Sequence, residues 1–437
     1  MSKVDLNVVN AHPTKDFFIF MLTKDLQVSK AVNDLVDNSV DGARRVHATD
    51  KNAEVWVRIN LKPDHFLIED NCGGIDLDVA RNYAFRFGRA VGFPSVTHSI
   101  GQFGVGMKRA LFKLGKKFSI TSTTAKSQFV LEEDIEKWAK DVDKWDFKFK
   151  SWSPTKPKNA QIGTCIRIEP LHSGVAEQAK QPTFITQLRE ELAAAHQQSG
   201  ISISLNGVPI TFKAASLLVS KDFQPAQERG TAHGVSYEVY AGLAEKGLPK
   251  EAGWHVFCNG RLILHADKTF RTGWGDKDDV GLPMFHAQYN RFRGYAFFDC
   301  DDPTKLPWNT TKSDIDMDSA LYRGIRQKMV SMSRPVVDFL NELKEARAKA
   351  KENDTELDLR LEMARSASLK DIGKKKTATF RRPKLEVQNQ EDDETVEIQY
   401  FVDLQKFQEV KRVLKARTPQ QVGQKTFDYY YSAECDE

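Results

Sequence analysis

The stretch "AVNDLVDNSVDGARR" (31–45) places Asp34, Asp37, Asn38 and Asp41 within an apolar helical pattern. At about 100° per residue, Val28, Ala31, Val32, Leu35, Val36, Ser39, Val40 and Ala43 fill one broad stripe. Asp34, Asn38 and Asp41, spaced i, i+4, i+7, line the opposite side. Any amphipathic helix has a wet side, and solvation alone would account for polar residues there. A wet side is usually built from Lys, Glu and Gln, which favour the helix. Asp and Asn disfavour it, because their short side chains compete for backbone hydrogen bonds. Here helix propensity is given up for short oxygen ligands on one line.

With 437 residues, 40% hydrophobic and 28% charged, the chain has room for two or three domains. A formal net charge of +4 permits a nucleic-acid partner without implying one. Cys72, Cys165, Cys258, Cys300 and Cys435 are scattered, with no CxxC, which argues for reduced thiols and against zinc or a disulfide frame. The start lacks a signal pattern, and "FFIFML" (17–22) is too short to span a membrane. The expectation is a cytoplasmic protein without membrane attachment.

Periodicity predicts two helices over 14–47, broken near Thr23–Asp25, then paired antiparallel strands at 54–60 and 65–70. Further strands are expected at 117–124, 127–133 and 163–170, and an amphipathic helix at 183–198. "ISISLNGVPITF" (201–212) and "WHVFCNGRLIL" (254–264) each carry an Asn-Gly turn between apolar runs, a strong hairpin signal. A strand at 292–300 precedes a long helix from about 315. From about 336 the pattern reads as charged helix, followed by a basic linker (373–384), an acidic one (390–394), a last helical piece (399–416) and the aromatic tail 427–432.

Three more stretches carry chemistry. "IEDNCGGID" (68–76) ends a strand on Asp70 and turns through Gly73-Gly74; an acid there can accept a hydrogen bond from an exocyclic amine, and an ordinary Asp-Gly turn looks the same. "HSIGQFGVGMKRALFKLG" (98–115) opens a helix with Gly101, Gly104 and Gly106, whose free N–H groups and positive dipole end make a phosphate seat. No Gly-Lys-Ser/Thr follows, so it is not a Walker loop. "IGTCIRI" (162–168) puts Gly163-Thr164 at a strand head.

Together, over about 14–170, these motifs resemble the GHKL superfamily of ATPases and its Bergerat ATP-binding fold. The resemblance implies an α+β architecture: helices on one face of a mixed sheet, then an α/β transducer-like domain and a helical C-terminal tail. The corresponding divisions are 1–170, 171–335 and 336–437. It implies ATP and Mg2+ as cofactors. Asp34 would activate the attacking water, Asn38 ligate magnesium and Asp70, with Gly74, read the adenine amine. Gly101, Gln102, Phe103, Gly104, Val105 and Gly106 would hold phosphates, and Thr164 would lie by the adenine.

Two departures stand out. The family usually has Glu where this chain has Asp34, which is one methylene shorter, so slow hydrolysis or binding alone is expected. The family's Asp-x-Gly-x-Gly reads Asp70-Asn71-Cys72-Gly73-Gly74, so its turn is expected to be reshaped. "DLVDNSVDGA" and the strand-rich second segment resemble MutL and MORC, in which a transducer lysine reaches the γ-phosphate; "LPWNTTKSDID" (306–316) nominates Lys312, with Lys305 next. That branch implies a homodimer joined through its N-terminal domains by ATP, with a lid at about 80–100 that flexes at Gly88, Gly92 and Pro94. It would act on DNA, with a separate effector protein, in DNA management or anti-phage defence. The competing expectations are a chaperone-like ATPase remodelling protein clients and a non-hydrolysing ATP-binding scaffold.

Overall fold

A computed structural model describes residues 14–88, 98–101, 104–141, 144–276, 281–309, 311–349, 355–373, 376–383, 398, 402–416 and 418–435. Residues 1–383 form one unit and 384–437 another. The expected lid positions Gly92 and Pro94, the loop residues Gln102 and Phe103, and the acidic stretch 390–394 lie outside the described residues.

Helix α1 (Lys15–Thr23) is capped by the Thr14 hydroxyl, which accepts from Phe17 N–H, and α2 (Val28–Thr49) follows after the expected break. Strands β1 (Trp56–Leu61) and β2 (Phe66–Asp70) pair antiparallel. A short α3 (Leu77–Val79) runs into a π-helical turn, Ala80–Ala84. Then come α4 (Gly106–Leu114), β3 (Lys117–Thr123), β4 (Gln128–Asp134), α5 (Ile135–Lys140), β5 (Phe149–Ser153) and β6 (Gly163–Ile168). The chain continues through α6 (Ser173–Lys180), α7 (Pro182–Ala195), β7 (Ser202–Leu205) and β8 (Val208–Pro209).

These strands form one eight-stranded sheet in the order β5-β4-β3-β6-β2-β1-β7-β8. It is mixed, because β7 runs parallel to β1 while the other neighbours are antiparallel. The sheet does not stop at 170. The hairpin at 201–212, expected with the second domain, completes the edge of the first sheet, since a parallel partner for β1 needs a crossover, which α6 and α7 supply. Helix α2 packs on α4 and α7, and α1 on α4 and α5.

The second half of this unit contains β9 (Ser216–Val219), β10 (Ala226–Ala232), β11 (Val235–Leu243), β12 (Gly253–Cys258), β13 (Arg261–Asp267), β14 (Phe292–Asp299), α8 (Ala320–Lys349), α9 (Glu356–Glu362), β15 (Arg365–Ser368) and β16 (Thr377–Ala378). A six-stranded sheet has the order β13-β12-β14-β11-β10-β16, and β15 pairs with β9. Strand β12 is buried along its whole length, as a central strand packed on both faces must be. Both Asn-Gly turns form as expected: Asn206-Gly207 and Asn259-Gly260 have φ of 51° and 78°, and 45° and 71°.

Helix α8 runs without a break through the expected boundary at 335/336. Its buried Tyr322 and Met329, and beyond the boundary Val336, Phe339 and Leu340, belong to the same apolar core as Leu35, Val57 and Ile166 of the first sheet. The segment at 365–368, expected to be helical, is instead a strand, fixed by pairing Ser366 to Leu218. In the other unit, α10 (Leu404–Val413) and α11 (Pro419–Glu434) make a helical pair, and the aromatic tail is part of α11.

Phe339 is fully buried between Phe223 and Phe380, so it ties α8 to β9 and β16 flanks. Phe339→Ala is expected to cost about 3–5 kcal/mol. Urea unfolding should show one transition at a lower midpoint; a separate early transition would mean that α8 is not part of the common core.

Candidate functional site

Between Ala31 and Ala43 every residue of α2 is buried except Asn38. The polar line expected to face ligand is therefore mostly internal, with each carboxylate occupied by a partner. Asp34 takes a bidentate pair from Arg109 of α4, with Nε to Oδ2 at 2.6 Å and Nη2 to Oδ1 at 3.0 Å. Asp41 accepts from Ile100 N–H and Gly101 N–H, both at 2.8 Å, and from the Ser99 hydroxyl at 2.9 Å. Asp37, 1% exposed, accepts from Lys312 Nζ at 3.0 Å and lies 3.1 Å from Arg261 Nε. Asn38 donates to the Asp34 carbonyl at 3.0 Å, which leaves its amide oxygen for the cleft it lines.

That cleft lies between α2, the end of β2, the start of α4 and β6. Ile68, Ile75, Met107 and Ile166 give it apolar walls, and Asp70, Ser39, Thr164 and Arg45 give it polar points. Asp70 accepts from Ser39 Oγ at 2.7 Å, Cys72 N–H at 2.9 Å and Thr164 N–H at 3.1 Å. Burial pushes its carboxyl above the usual range, and these three donors partly offset the shift. The unusual Asp70–Gly74 turn is built by Asn71, whose side chain accepts from Trp56 N–H and donates to the Glu54 carbonyl. Gly74 and Gly163 are required: with φ of 72° and 143°, a Cβ on either would strike the Thr123 or Asp70 carbonyl.

Helix α4 begins at Gly106 after Gly104 (φ 65°) and Val105, with no side chain capping its first N–H groups, which leaves them for an anion. A Cβ on Gly106 would sit 3.7 Å from Asp34, so Asp34 adjoins this helix start. Lys108, buried in the first turn of α4, donates to the Ala84 carbonyl, and burial lowers its ammonium to about 7.

The structure thus gathers Asn38, Asp70, Gly74 and Thr164 on one cleft, with Asp34 beside Gly104, Val105 and Gly106 at the start of α4, while Gly101 is held apart by its N–H bond to Asp41. Lys312 reaches α2 from the loop between β14 and α8 and meets Asp37. Sequence reasoning missed Arg109, Arg261, His196 and Asn259. Asn259, 1% exposed, donates to the Ser99 and Cys300 carbonyls and accepts from Cys300 N–H, while Arg44 Nη2 donates to its carbonyl. Its only sequence signal was the Asn-Gly turn, which predicted a hairpin and not a contact.

Burial alone would raise the Asp37 carboxyl; Arg261, then Lys312, outweigh it and hold the group at about 2. His196, 4.0 Å from Asp37, is lowered by burial and by Arg261 to about 3, so it is neutral. Among the described residues no cluster of three or more His, Cys, Asp or Glu could hold a metal alone. One amide oxygen at a phosphate seat does suit magnesium, which keeps waters and binds largely through phosphates.

Residues 26–164 match the family model of the histidine kinase-, DNA gyrase B-, and HSP90-like ATPases. This match supports a GHKL-type ATPase domain in that part of the chain. No curated protein matches the chain. Among the described residues no helix is long and apolar enough to cross a membrane.

A carboxyl held at about 2 contributes stability that is complete above the ordinary Asp value of about 3.9 and is lost as pH falls toward 2. Asp37→Asn leaves two buried cations unpaired and is expected to cost about 3–5 kcal/mol at neutral pH. Denaturant melts of both forms from about pH 6 to pH 3 should show the gap narrowing below about pH 4. A constant gap would mean that the Asp37 charge is not what the core depends on.

Proposed function

We propose that the protein binds ATP with Mg2+ in the α2–β2–α4 cleft and hydrolyses it slowly. The observation that carries this reading is the exposure of Asn38 alone between Ala31 and Ala43 of α2, on a cleft it shares with the half-buried carboxylate of Asp70 between apolar walls. A flat base with an exocyclic amine suits Asp70, and polyphosphate suits the uncapped start of α4. Asn38 would hold the metal, which screens phosphate charge. Lys312, carried on the loop between β14 and α8, would sense the terminal phosphate. In this reading ATP joins two copies through their N-terminal regions into a clamp on DNA, in the manner of MORC and MutL proteins, with cutting left to a separate effector. The second sheet with α8 then serves as the transducer. Part of the basic stretch has an internal role, since Arg382 pairs with Glu342.

The Asp34–Arg109 pair favours a second reading, an ATP-binding scaffold without turnover. A general base must reach its water, and a carboxylate held at both oxygens by a buried guanidinium does so only after the pair opens.

Titration with a fluorescent ATP analogue tests binding. Asp70→Ala and Asn38→Ala should each weaken it, Asp70→Ala by about 1–3 kcal/mol from the unpaired amine. Wild-type affinity in both variants would remove the nucleotide assignment.

Steady-state turnover with and without DNA separates the readings. Asp34→Asn should keep affinity and lower turnover by on the order of 10²–10⁴-fold if Asp34 is the base. Binding without turnover in wild type would favour the scaffold, equal turnover in wild type and Asp34→Asn would mean that Asp34 is not the base, and a rate indifferent to DNA would oppose the clamp.

A further inference from the structure

Lys312 and Arg261 share one buried carboxylate. Among the described residues, no other carboxylate lies within ion-pair distance of either. Nearby His196 is neutral, and Lys30 adds further positive charge, facing Glu191 as well as Asp37 and Asp34. The cluster holds more positive charge than negative. Its hydrogen bonding is also incomplete: Asp37 Oδ1 and Arg261 Nε are 3.1 Å apart but misaligned, and both atoms are buried without a hydrogen-bond partner. A donor and an acceptor left idle side by side in a protein interior are costly, and a small rotation of the guanidinium would join them. Lys312 meanwhile holds φ at 53°, a left-handed conformation that a lysine adopts only when its surroundings impose it.

We propose that Asp37 is an exchange seat: the terminal phosphate of a nucleoside triphosphate draws Lys312 off it, and Arg261 completes its idle hydrogen bond to Asp37 as Lys312 leaves. This rests on the nucleotide reading above and makes Asp37 and Arg261 positioning residues for Lys312. A diphosphate offers no such phosphate and leaves Lys312 in place. Arg261 directly follows the Asn259-Gly260 turn, whose Asn259 holds the Ser99 carbonyl at the start of the phosphate loop. The exchange therefore shifts the hairpin tip that braces that loop.

Calorimetric titration of full-length protein with Mg2+ and either ADP or a non-hydrolysable ATP analogue reads the exchange as the ratio of the two affinities. Asp37→Asn removes the seat, so triphosphate preference should rise about tenfold, within the range of coupling between sites, with ADP affinity nearly constant. The rise should vanish in an Asp37→Asn, Lys312→Met double variant. Arg261→Met strands Asp37 when Lys312 leaves, so its preference should fall toward that of Lys312→Met. An unchanged or lower preference in Asp37→Asn, or a rise that survives the Lys312→Met change, overturns the exchange. If Asp37→Asn does not fold, Arg261→Met decides alone, and a wild-type ratio there overturns it. Wild-type protein that binds neither nucleotide overturns the nucleotide reading and the exchange together, whereas binding with unmoved ratios overturns the exchange only.

Discussion

Negative charge taken out of water must be matched inside the protein, and helix α2 takes three carboxylates there within eight residues. Asp34, Asp37 and Asp41 are each less than 10% exposed. Each is matched by a different part of the molecule: α4 through Arg109, the second sheet and the loop after it through Arg261 and Lys312, and the glycine-rich loop through its own N–H groups. Hydrophobic packing brings these parts together but does not orient them. The three carboxylates fix orientation, because an error in any one would strand a buried charge. The cleft has its shape because the elements around it are pinned to one helix from three directions.

The division of labour on α2 explains the one exposed side chain between Ala31 and Ala43. Asn38 carries no charge to neutralise, and one bond from its amide nitrogen to the Asp34 carbonyl settles its orientation. Its oxygen is left over. An Asp there would add a fourth carboxylate to a crowded helix, whereas an amide offers an oxygen ligand without that repulsion.

Much of this was legible in the sequence. Helix period, strand alternation and the two Asn-Gly turns are local signals, and they located α1, α2, β1, β2 and the hairpin tips, while the resemblance to the GHKL superfamily nominated Asn38, Asp70, Gly74 and Thr164, which line the cleft. What was lost was non-local. Asp34 meets Arg109 across 75 residues and Asp37 meets Lys312 across 275, and no local period tells which cation a carboxylate will find. The same limit hid β10, "AQERGTA", whose strand form is imposed by β11 and β16 on either side. It also misassigned 365–368, which pairs with β9 about 150 residues away. Periodicity could show that one side of α2 was polar, but not that this side was buried, because a charged residue matched by a partner and one matched by water look identical in a sequence.

The Asn259 side chain has a consequence of another kind. Its amide bonds the Ser99 carbonyl on one side and both backbone groups of Cys300 on the other, deep enough that water cannot substitute. A displacement of either segment is felt by the other through this one group. Such a linkage has no preferred direction. If ligand at the cleft alters how tightly the second sheet holds a partner, that partner must alter affinity at the cleft by the same factor. A partner with such a preference would regulate what the cleft binds without approaching it.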